Sequence, residues 1–397
     1  MLEKPPVIKG LTEQALIFYS DPNNQALFDK INDGYLYWNK AKYLKPKGIS
    51  DSDFWYSIKC SRIGPRISFG KHDFKFFITN QMQNLLHALD VELTKTNPDY
   101  VYTQSQIEEA IASSKMEGAL TSYQDAKNML EKKNKPTDYS QQMIFNNYTT
   151  IKYITDNVSE KLTPNFILDI HKKITKNTLK SAKYEGSFRT SNNVLVVDGT
   201  TGEIAHVPPS FEEIPEFINQ ICKFAETDKI FIHPIIKAII LHYMISYLHP
   251  FVDGNGRTAR ALFYWYLLKS GYSLSPFISI SQVIYKTKAQ YEKAFLYSQY
   301  DENDLSYFID YNLKALYKAF ENYKAQNLNT KIKTDNRESQ IIAIFKTNPN
   351  QILTCKNLET TLGVTTKTIR ADLEKLVKEN VLEKVNLNKR LIGYRLT

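Results

Sequence analysis

The stretch LHPFVDGNGRTAR, Leu248 to Arg260, decides how this chain is read. It follows directly on an apolar run, IIKAIILHYMISYL, whose character predicts a buried helix. Pro250 prevents simple continuation of that helix beyond His249. Gly254 and Gly256 free the backbone for a tight turn and leave no side chains in the way. A second helix is expected to start near Asn255 to Arg257 and run to Gly271. Its N-terminus would expose unpaired N–H groups and a partial positive charge, which attract phosphate. Arg257 and Arg260 lie three apart, so both project from the same face of that first turn. Two guanidinium forks beside a backbone anion nest suit a polyphosphate. Asp253 can hold a Mg²⁺ that also bridges phosphates. His249, on the lip of the loop, can take a proton near neutral pH.

Other phosphate signatures fail. No GxxxxGK[ST] occurs, so a P-loop is excluded. GNGRTA matches GxGxxA, but a helix precedes it and no βαβ unit follows, so the dinucleotide fold is excluded by context. His233 and His242 read as helix-end and core residues, because neither HExxH nor a Cys/His cluster is present. Tyr291 reads equally as core or as one wall of a nucleobase pocket.

The 397 residues are enough for two or three domains with cores of their own. A hydrophobic fraction of 42% and a charged fraction of 23% are those of a globular protein. The net charge of +9 permits a nucleic-acid surface or an anionic substrate without proving either. Cys60, Cys222 and Cys355 are far apart, so neither a disulfide framework nor a CxxC metal site is legible, which suits a reducing cytoplasm. The opening MLEKPPVIKG lacks the apolar segment of a signal peptide, and the run 235–248 is too short to span a membrane.

Residues 1–100 are expected to be mostly helical around an irregular middle, KCSRIGPRISFGKHD, broken at Gly64-Pro65 and Gly70. From 101 to 326 helical patterns dominate. SQIEEAIASSKMEG opens with capping-box spacing, Ser105 to Glu108. NVLVVDGTTGEIAHV, with Asp198-Gly199 at its centre, reads as a β-hairpin. NLNTKIKTDN is polar and aperiodic, which predicts a linker over 327–335. Residues 336–397 then read helix, helix, turn at Gly363, helix, hairpin, the order of a winged helix-turn-helix. The fold class expected is mainly α: a helical core with a β-hairpin, plus the C-terminal winged-helix domain.

HPFVDGNGRTAR resembles the signature of the Fic (filamentation induced by cAMP) family, His-x-Phe-x-(Asp/Glu)-Gly-Asn-Gly-Arg-x-x-Arg, with every specified position present. The resemblance extends over roughly residues 100 to 320. It implies an all-α core, a hairpin flap over the active site, and transfer of AMP from ATP to a hydroxyl of a target protein. It implies His249 as the base that deprotonates that hydroxyl, Phe251 as the anchor of the loop, and Asp253 as the Mg²⁺ ligand. Gly254, Asn255 and Gly256 would form the anion hole, with the Asn255 side chain also on the α-phosphate. Arg257 would hold the β-phosphate and Arg260 the γ-phosphate. SSKMEG resembles the family's inhibitory motif, (Ser/Thr)-x-x-x-Glu-(Gly/Asn), at Ser113, Glu117 and Gly118. There the glutamate pairs with the second motif arginine, here Arg260, and its place ahead of the catalytic motif resembles class II proteins. Some of these also remove AMP. The flap, 193–207, would clamp an extended target segment by strand pairing.

Residues 336–397 carry eleven Lys/Arg against six Asp/Glu. Thr366, Lys367 and Arg370 on the third helix would face a DNA major groove, with Lys389 and Arg390 near phosphates. The same fold also serves dimerisation or target docking. Three readings therefore stand: an adenylyltransferase held back by Glu117, a DNA-binding regulator whose site senses nucleotide, and a transferase of another nucleotide or phosphate group.

Overall fold

Caps and breakers set the element boundaries. The computed structural model describes residues 2–8, 10, 12–94, 102–197, 202–227, 231–273, 278–347, 351–388 and 391–396. Asp198-Gly199 and Lys389-Arg390 lie outside the described residues. Two compact units result, Met1–Phe320 and Glu321–Thr397.

The first unit begins with helices α1 (Glu13–Ser20), α2 (Gln25–Asp33), α3 (Trp38–Ala41) and α4 (Asp51–Cys60). Thr12 and Ser50 cap α1 and α4 by accepting from backbone N–H groups in their first turns. Strands β1 (Arg66–Phe69) and β2 (His72–Lys75) pair antiparallel, from Arg66↔Lys75 to Phe69↔His72. This corrects the expectation of an irregular middle. Gly70, at φ +60°, makes the turn rather than ending regular structure, while Phe69 and Phe74 are buried on one face. Helix α5 (Asn80–Leu93) follows.

Then come α6 (Tyr102–Met116), α7 (Tyr123–Glu131), α8 (Tyr139–Asp156) and α9 (Pro164–Thr175). The start expected at Ser105 lies earlier, at Tyr102. Ser105 is buried inside α6, so the capping-box spacing there caps nothing. The hairpin reading of 193–207 holds: β3 (Val196–Val197) pairs antiparallel with β4 (Ile204–His206) across an irregular register. Helices α10 (Ile214–Glu226), α11 (Pro234–Leu248), α12 (Asn255–Lys269), α13 (Ile280–Lys286), α14 (Lys288–Tyr300) and α15 (Ser306–Thr347) complete the helical part. The apolar run is α11, buried on nearly all sides and packed against α12. Around this pair, α8 packs on α9 and α12, and α6 on α8 and α13. The motif loop 249–254 is thus held between the two most buried helices.

Residues 327–335 are helical, inside α15, rather than an irregular linker. Between 306 and 347 there is neither Gly nor Pro, so nothing interrupts the backbone ladder, and Lys, Asn and Gln tolerate helix well enough. Among the described residues no helix is long and apolar enough to cross a membrane.

In the second unit, β5 (Leu353–Thr354), α16 (Cys355–Leu362), α17 (Thr366–Lys378), β6 (Leu382–Asn388) and β7 (Leu391–Leu396) follow the expected order. The strands pair in the order β5-β7-β6. Gly363, at φ +65°, ends α16, and Thr365 caps α17. Ile341, Phe345, Leu358, Ile369, Leu373 and Tyr394 form its core.

Candidate active site

The turn between α11 and α12 presents a helix N-terminus without a side-chain cap. Gly254, at φ +82°, occupies the N-cap position, and no side chain accepts from the first-turn N–H groups. Most of the other helices of this chain carry a Ser, Thr or Asp cap, so α12 leaves open the donors that an anion would take. A Cβ on Gly254 would meet Thr175 Cγ2 at 2.7 Å, and its φ disfavours side chains in any case.

Three contacts fix the loop. Phe251 is fully buried and its ring stacks on His171, with centroids 3.7 Å apart. His171 Nδ1 accepts from Gly186 N–H at 3.0 Å, so Nε2 carries the proton and donates to Asp253 O at 2.9 Å. Burial lowers the His171 pKa to about 4, which keeps the ring neutral in this role. Asn255 is buried and grips Phe251 from both sides of its amide. Its Oδ1 accepts from Phe251 N–H and its Nδ2 donates to Phe251 O, each at 2.9 Å. This changes the expectation for Asn255: its side chain braces the loop, and only its backbone N–H remains for an anion.

His249 caps α11 in the left-handed region, φ 48° and ψ 55°, with its N–H on Ile245 O. A non-glycine residue held there is a constraint that the surroundings must enforce. Arg189 enforces it. Its Nε donates to His249 O at 2.9 Å, and its backbone N–H donates to Pro250 O at 2.9 Å. The rest of the guanidinium donates to Ser191 O at 2.9 Å and to Pro209 O. One buried arginine therefore ties the loop to both ends of the hairpin segment. The hairpin is pinned again by His206, whose Nε2 donates to Tyr247 O at 2.6 Å while its Nδ1 accepts from Gln299. The half-buried His249 ring has its Nδ1 3.4 Å from Ser246 O, which leaves Nε2 as the basic nitrogen. Burial pushes its pKa below the ordinary histidine value, against the opposing pull of Ser246 O and Glu117.

Arg260 is 2% exposed and is held by the end of α6. Its Nε donates to Ser113 Oγ at 2.9 Å, and its Nη2 to Ser113 O at 3.0 Å and Glu117 Oε1 at 2.8 Å. Glu117 follows the last residue of α6. Gly118 N–H bonds Lys115 O and Ala119 N–H bonds Ser114 O, the Schellman stop, with Gly118 at φ +92°. The glycine is there for its positive φ; a Cβ on it would meet nothing within 4 Å, so close approach is not the reason. A carboxylate at a helix C-terminus is disfavoured by the helix dipole. Burial also opposes its charge, yet Arg260 and Arg257 hold the Glu117 pKa below the ordinary carboxylate value.

His249, Gly256, Arg260 and Glu117 line one cavity of about 270 Å³, closed by Val196, Ala205 and His206 of the hairpin and by Tyr291 and Phe295 of α14. The sequence thus brings His249, Gly256, Arg260 and Glu117 together, and puts Tyr291 on the wall. Ser113 sits behind Arg260. Arg257 is elsewhere: its guanidinium is 1% exposed, donates to Ile174 O at 3.3 Å and lies 3.5 Å from the half-exposed Asp253 carboxylate. Its Nε is buried with no hydrogen-bond partner. An incompletely paired buried cation behind an uncapped helix end favours an anion in the cradle. His242 and His233 are structural, as expected: His242 Nε2 is 3.1 Å from Tyr291 Oη, and His233 Nε2 is 2.9 Å from Asp90 Oδ2. Among the described residues no group of three or more His, Cys, Asp or Glu could hold a metal.

Sequence reading missed Arg189, His171 and Glu109. Glu109, buried on α6, accepts from Tyr264 Oη at 2.8 Å, from Ser279 Oγ and Ser281 N–H at 3.0 Å each, and from Ser281 Oγ. It fastens α6 to α12 and α13. Only the helical placement of His171 and Glu109 was legible, and the partners of these residues lie up to 172 residues away.

The C-terminal candidates are split. Lys367 and Arg370 are exposed on α17. Thr366 is not available: its hydroxyl donates to Glu359, which also accepts its N–H at 3.2 Å.

Comparison with known proteins agrees with this geometry. Residues 161–267 match the model of the Fic/DOC family. The chain is 33% identical over 128 residues to the protein adenylyltransferase Fic of Nematostella vectensis, and 30% identical over 125 residues to that of Drosophila erecta. Each match takes in 31% of this chain, and the chain spans only 27% and 23% of the length of those relatives. A Fic family protein from Desulfovibrio desulfuricans G20 superposes with a TM-score of 0.55 at 18% identity, over 81% of this chain and 97% of the other. Residues 134–508 of Fic-1 from C. elegans do so with a TM-score of 0.56 at 17% identity, over 81% of this chain and 90% of the other. The fold and the motif coincide with the family match, which takes in residues 161–267 of this chain and is to the Fic/DOC family.

Proposed function

We propose that the chain is a protein adenylyltransferase that moves AMP from ATP to a hydroxyl of a target protein and is held back by Glu117. The observation that carries this reading is one cavity shared by a basic nitrogen, an uncapped helix N-terminus and an arginine occupied by a carboxylate. The names of the relatives support the transferred group.

In this reaction the target oxygen attacks the α-phosphorus of ATP. The new P–O bond forms as the bond to the bridging α,β-oxygen breaks, pyrophosphate leaves, and the proton passes to His249 Nε2. The backbone N–H groups of Asn255 and Gly256 take the α-phosphate oxygens, and Arg260 takes the terminal phosphate once Glu117 releases it. Positioning and charge neutralisation supply most of the acceleration in such transfers. Asp253 suits Mg²⁺: it is the half-exposed carboxylate beside the cradle, and Mg²⁺ is commonly held by one or two carboxylates plus substrate phosphates. The bound ion would neutralise phosphate charge. Ser113 and Glu117 act by occupying Arg260, and Gly118 by stopping α6 so that Glu117 faces the cavity. With Glu117 retained, the same carboxylate can orient a water for removal of AMP. The hairpin would take the target segment by strand pairing.

The test is transfer from labelled ATP to the chain itself and to lysate proteins, with a panel of other nucleotides to fix the base. Binding of Mg-ATP without transfer by the Glu117→Gly chain would sink the reading. Residues 336–397, as a winged helix, favour a second activity on one observation: Lys367, Arg370 and Lys378 share the exposed face of α17. Binding of a fluorescent DNA duplex that is lost in the Lys367→Ala/Arg370→Ala chain would support it. Unchanged binding would leave only protein contacts, dimerisation among them, for this domain.

A further inference from the structure

The loop after α7, helix α8 and the end of α9 line a second cavity, of about 750 Å³, that the transfer chemistry does not use. Lys133 and Lys135 enter it from the loop after α7, and Lys173 and Lys176 from the end of α9. No Asp or Glu lines it. None of the four lysines is ion-paired among the described residues; Lys173 Nζ instead lies 4.2 Å from the centre of the Tyr153 ring.

Lysines at helix C-termini also serve the helix dipole, so the local charge must be summed. Two helix ends contribute about half a negative charge each. Glu185, outside the lining, accepts from Asn177 N–H at 2.8 Å and adds one more. Four ammonium groups therefore leave roughly two positive charges without a counterpart. Two carbonyls at this end of α9 already accept hydrogen bonds: Asn146 Nδ2 donates to Ile174 O at 3.1 Å and to Lys176 O at 2.7 Å. Like charges gathered in one concavity repel, and an anion relieves that repulsion.

We infer that this cavity binds a compact polyanion, a small molecule bearing two or more phosphate groups. Its volume falls in the range of small-molecule sites, and all four lysines line the same hollow. A nucleic-acid track would instead spread them along a groove with stacking aromatics. Phe145 and Pro136 supply an apolar wall, so an organic body attached to the phosphates has a place to lie. The proposal does not depend on the transfer reaction.

The test is calorimetric titration of tripolyphosphate into the full-length Arg260→Ala chain, which weakens the competing site in the motif. Binding is expected, weakening as salt rises. Lys133→Glu/Lys176→Glu in the same background should bind at least roughly tenfold more weakly, since two charge contacts are reversed. Lys133→Gln/Lys176→Gln, which removes charge without reversing it, should fall between the two, and thermal melting checks that both remain folded. ATP binding more tightly than tripolyphosphate would assign a nucleoside polyphosphate to the Phe145 wall; equal affinities would assign the phosphate chain alone. Affinity unchanged in both folded lysine variants would overturn the proposal. So would a DNA or RNA oligonucleotide that binds this site more tightly than either probe. Neither result would touch the reading of the catalytic cavity.

Discussion

At the scale of single residues, His249 combines two constraints that a sequence shows only in part. Its identity and place after a helix were legible in LHPFVDGNGRTAR. Its left-handed backbone and the arginine that holds it there were not, because Arg189 lies 60 residues earlier and its partners are carbonyl oxygens, which leave no trace in residue type. Two predictions belong here. Burial lowers the His249 pKa, so the neutral, proton-accepting form persists below the ordinary value. The acid limb of the pH–rate profile should therefore fall below about pH 6.5. An acid limb above that value would contradict the assignment of His249 Nε2 as base. Arg189→Lys replaces a planar fork by a single ammonium and cannot reach the His249, Ser191 and Pro209 carbonyls together. It should lower kcat roughly tenfold or more with a smaller change in KM for ATP, and cost about 2–4 kcal/mol of stability by urea unfolding. A stability loss with kcat intact would make Arg189 purely structural.

At the scale of elements, α6 stops just before the carboxylate that occupies Arg260. Its helical character and the Ser113–Glu117 spacing were readable from SSKMEG. The reason for Gly118 was not: the structure uses its positive φ to stop the helix. Gly118→Ala should strain that stop by about 1 kcal/mol and loosen Glu117 from Arg260. Basal transfer from ATP should rise several-fold over the unmodified chain, and remain below that of Glu117→Gly. Equal rates in Gly118→Ala and the unmodified chain would show that the stop does not set the position of Glu117. The hairpins teach a related lesson. The one at 193–207 was legible because two β-prone runs flank Asp-Gly. The one at 66–75 was hidden by Gly64-Pro65, whose breaking signal masked the alternation that buries Phe69 and Phe74. Asn255 shows the limit for a motif residue: its position was fixed by the sequence pattern, but only coordinates show its amide closed on Phe251.

At the scale of the whole molecule, the chain divides into two compact units after Phe320, whereas the change of pattern in the sequence was read near residue 330. The helix through 327–335 was not legible, since polar residues without periodicity carry no packing signal even when the backbone is helical. The larger unit also stores a pH dependence. His171, His206 and His242 are buried neutral, with pKa values lowered by burial to about 4, about 4 and about 3. Between about pH 6.5 and pH 4 the unfolded chain binds protons at these sites that the folded chain does not. Stability must therefore fall as the pH falls through that window, by up to about 4 kcal/mol per pH unit if all three contribute. Urea unfolding at pH 7 and pH 5.5 measures this. Equal midpoints would mean that the histidines are not held neutral, and would remove His171 and His206 as fixed supports of the loop and the hairpin.

The central claim is that one cavity holds both the chemistry and its restraint. Transfer of label from α-labelled ATP, compared across the unmodified chain, Glu117→Gly and His249→Ala/Glu117→Gly, tests it most directly. The account predicts weak labelling of the unmodified chain, strong labelling with Glu117→Gly, and none once His249 is also removed. Labelling by Glu117→Gly no stronger than by the unmodified chain, or labelling that survives the loss of His249, would contradict it.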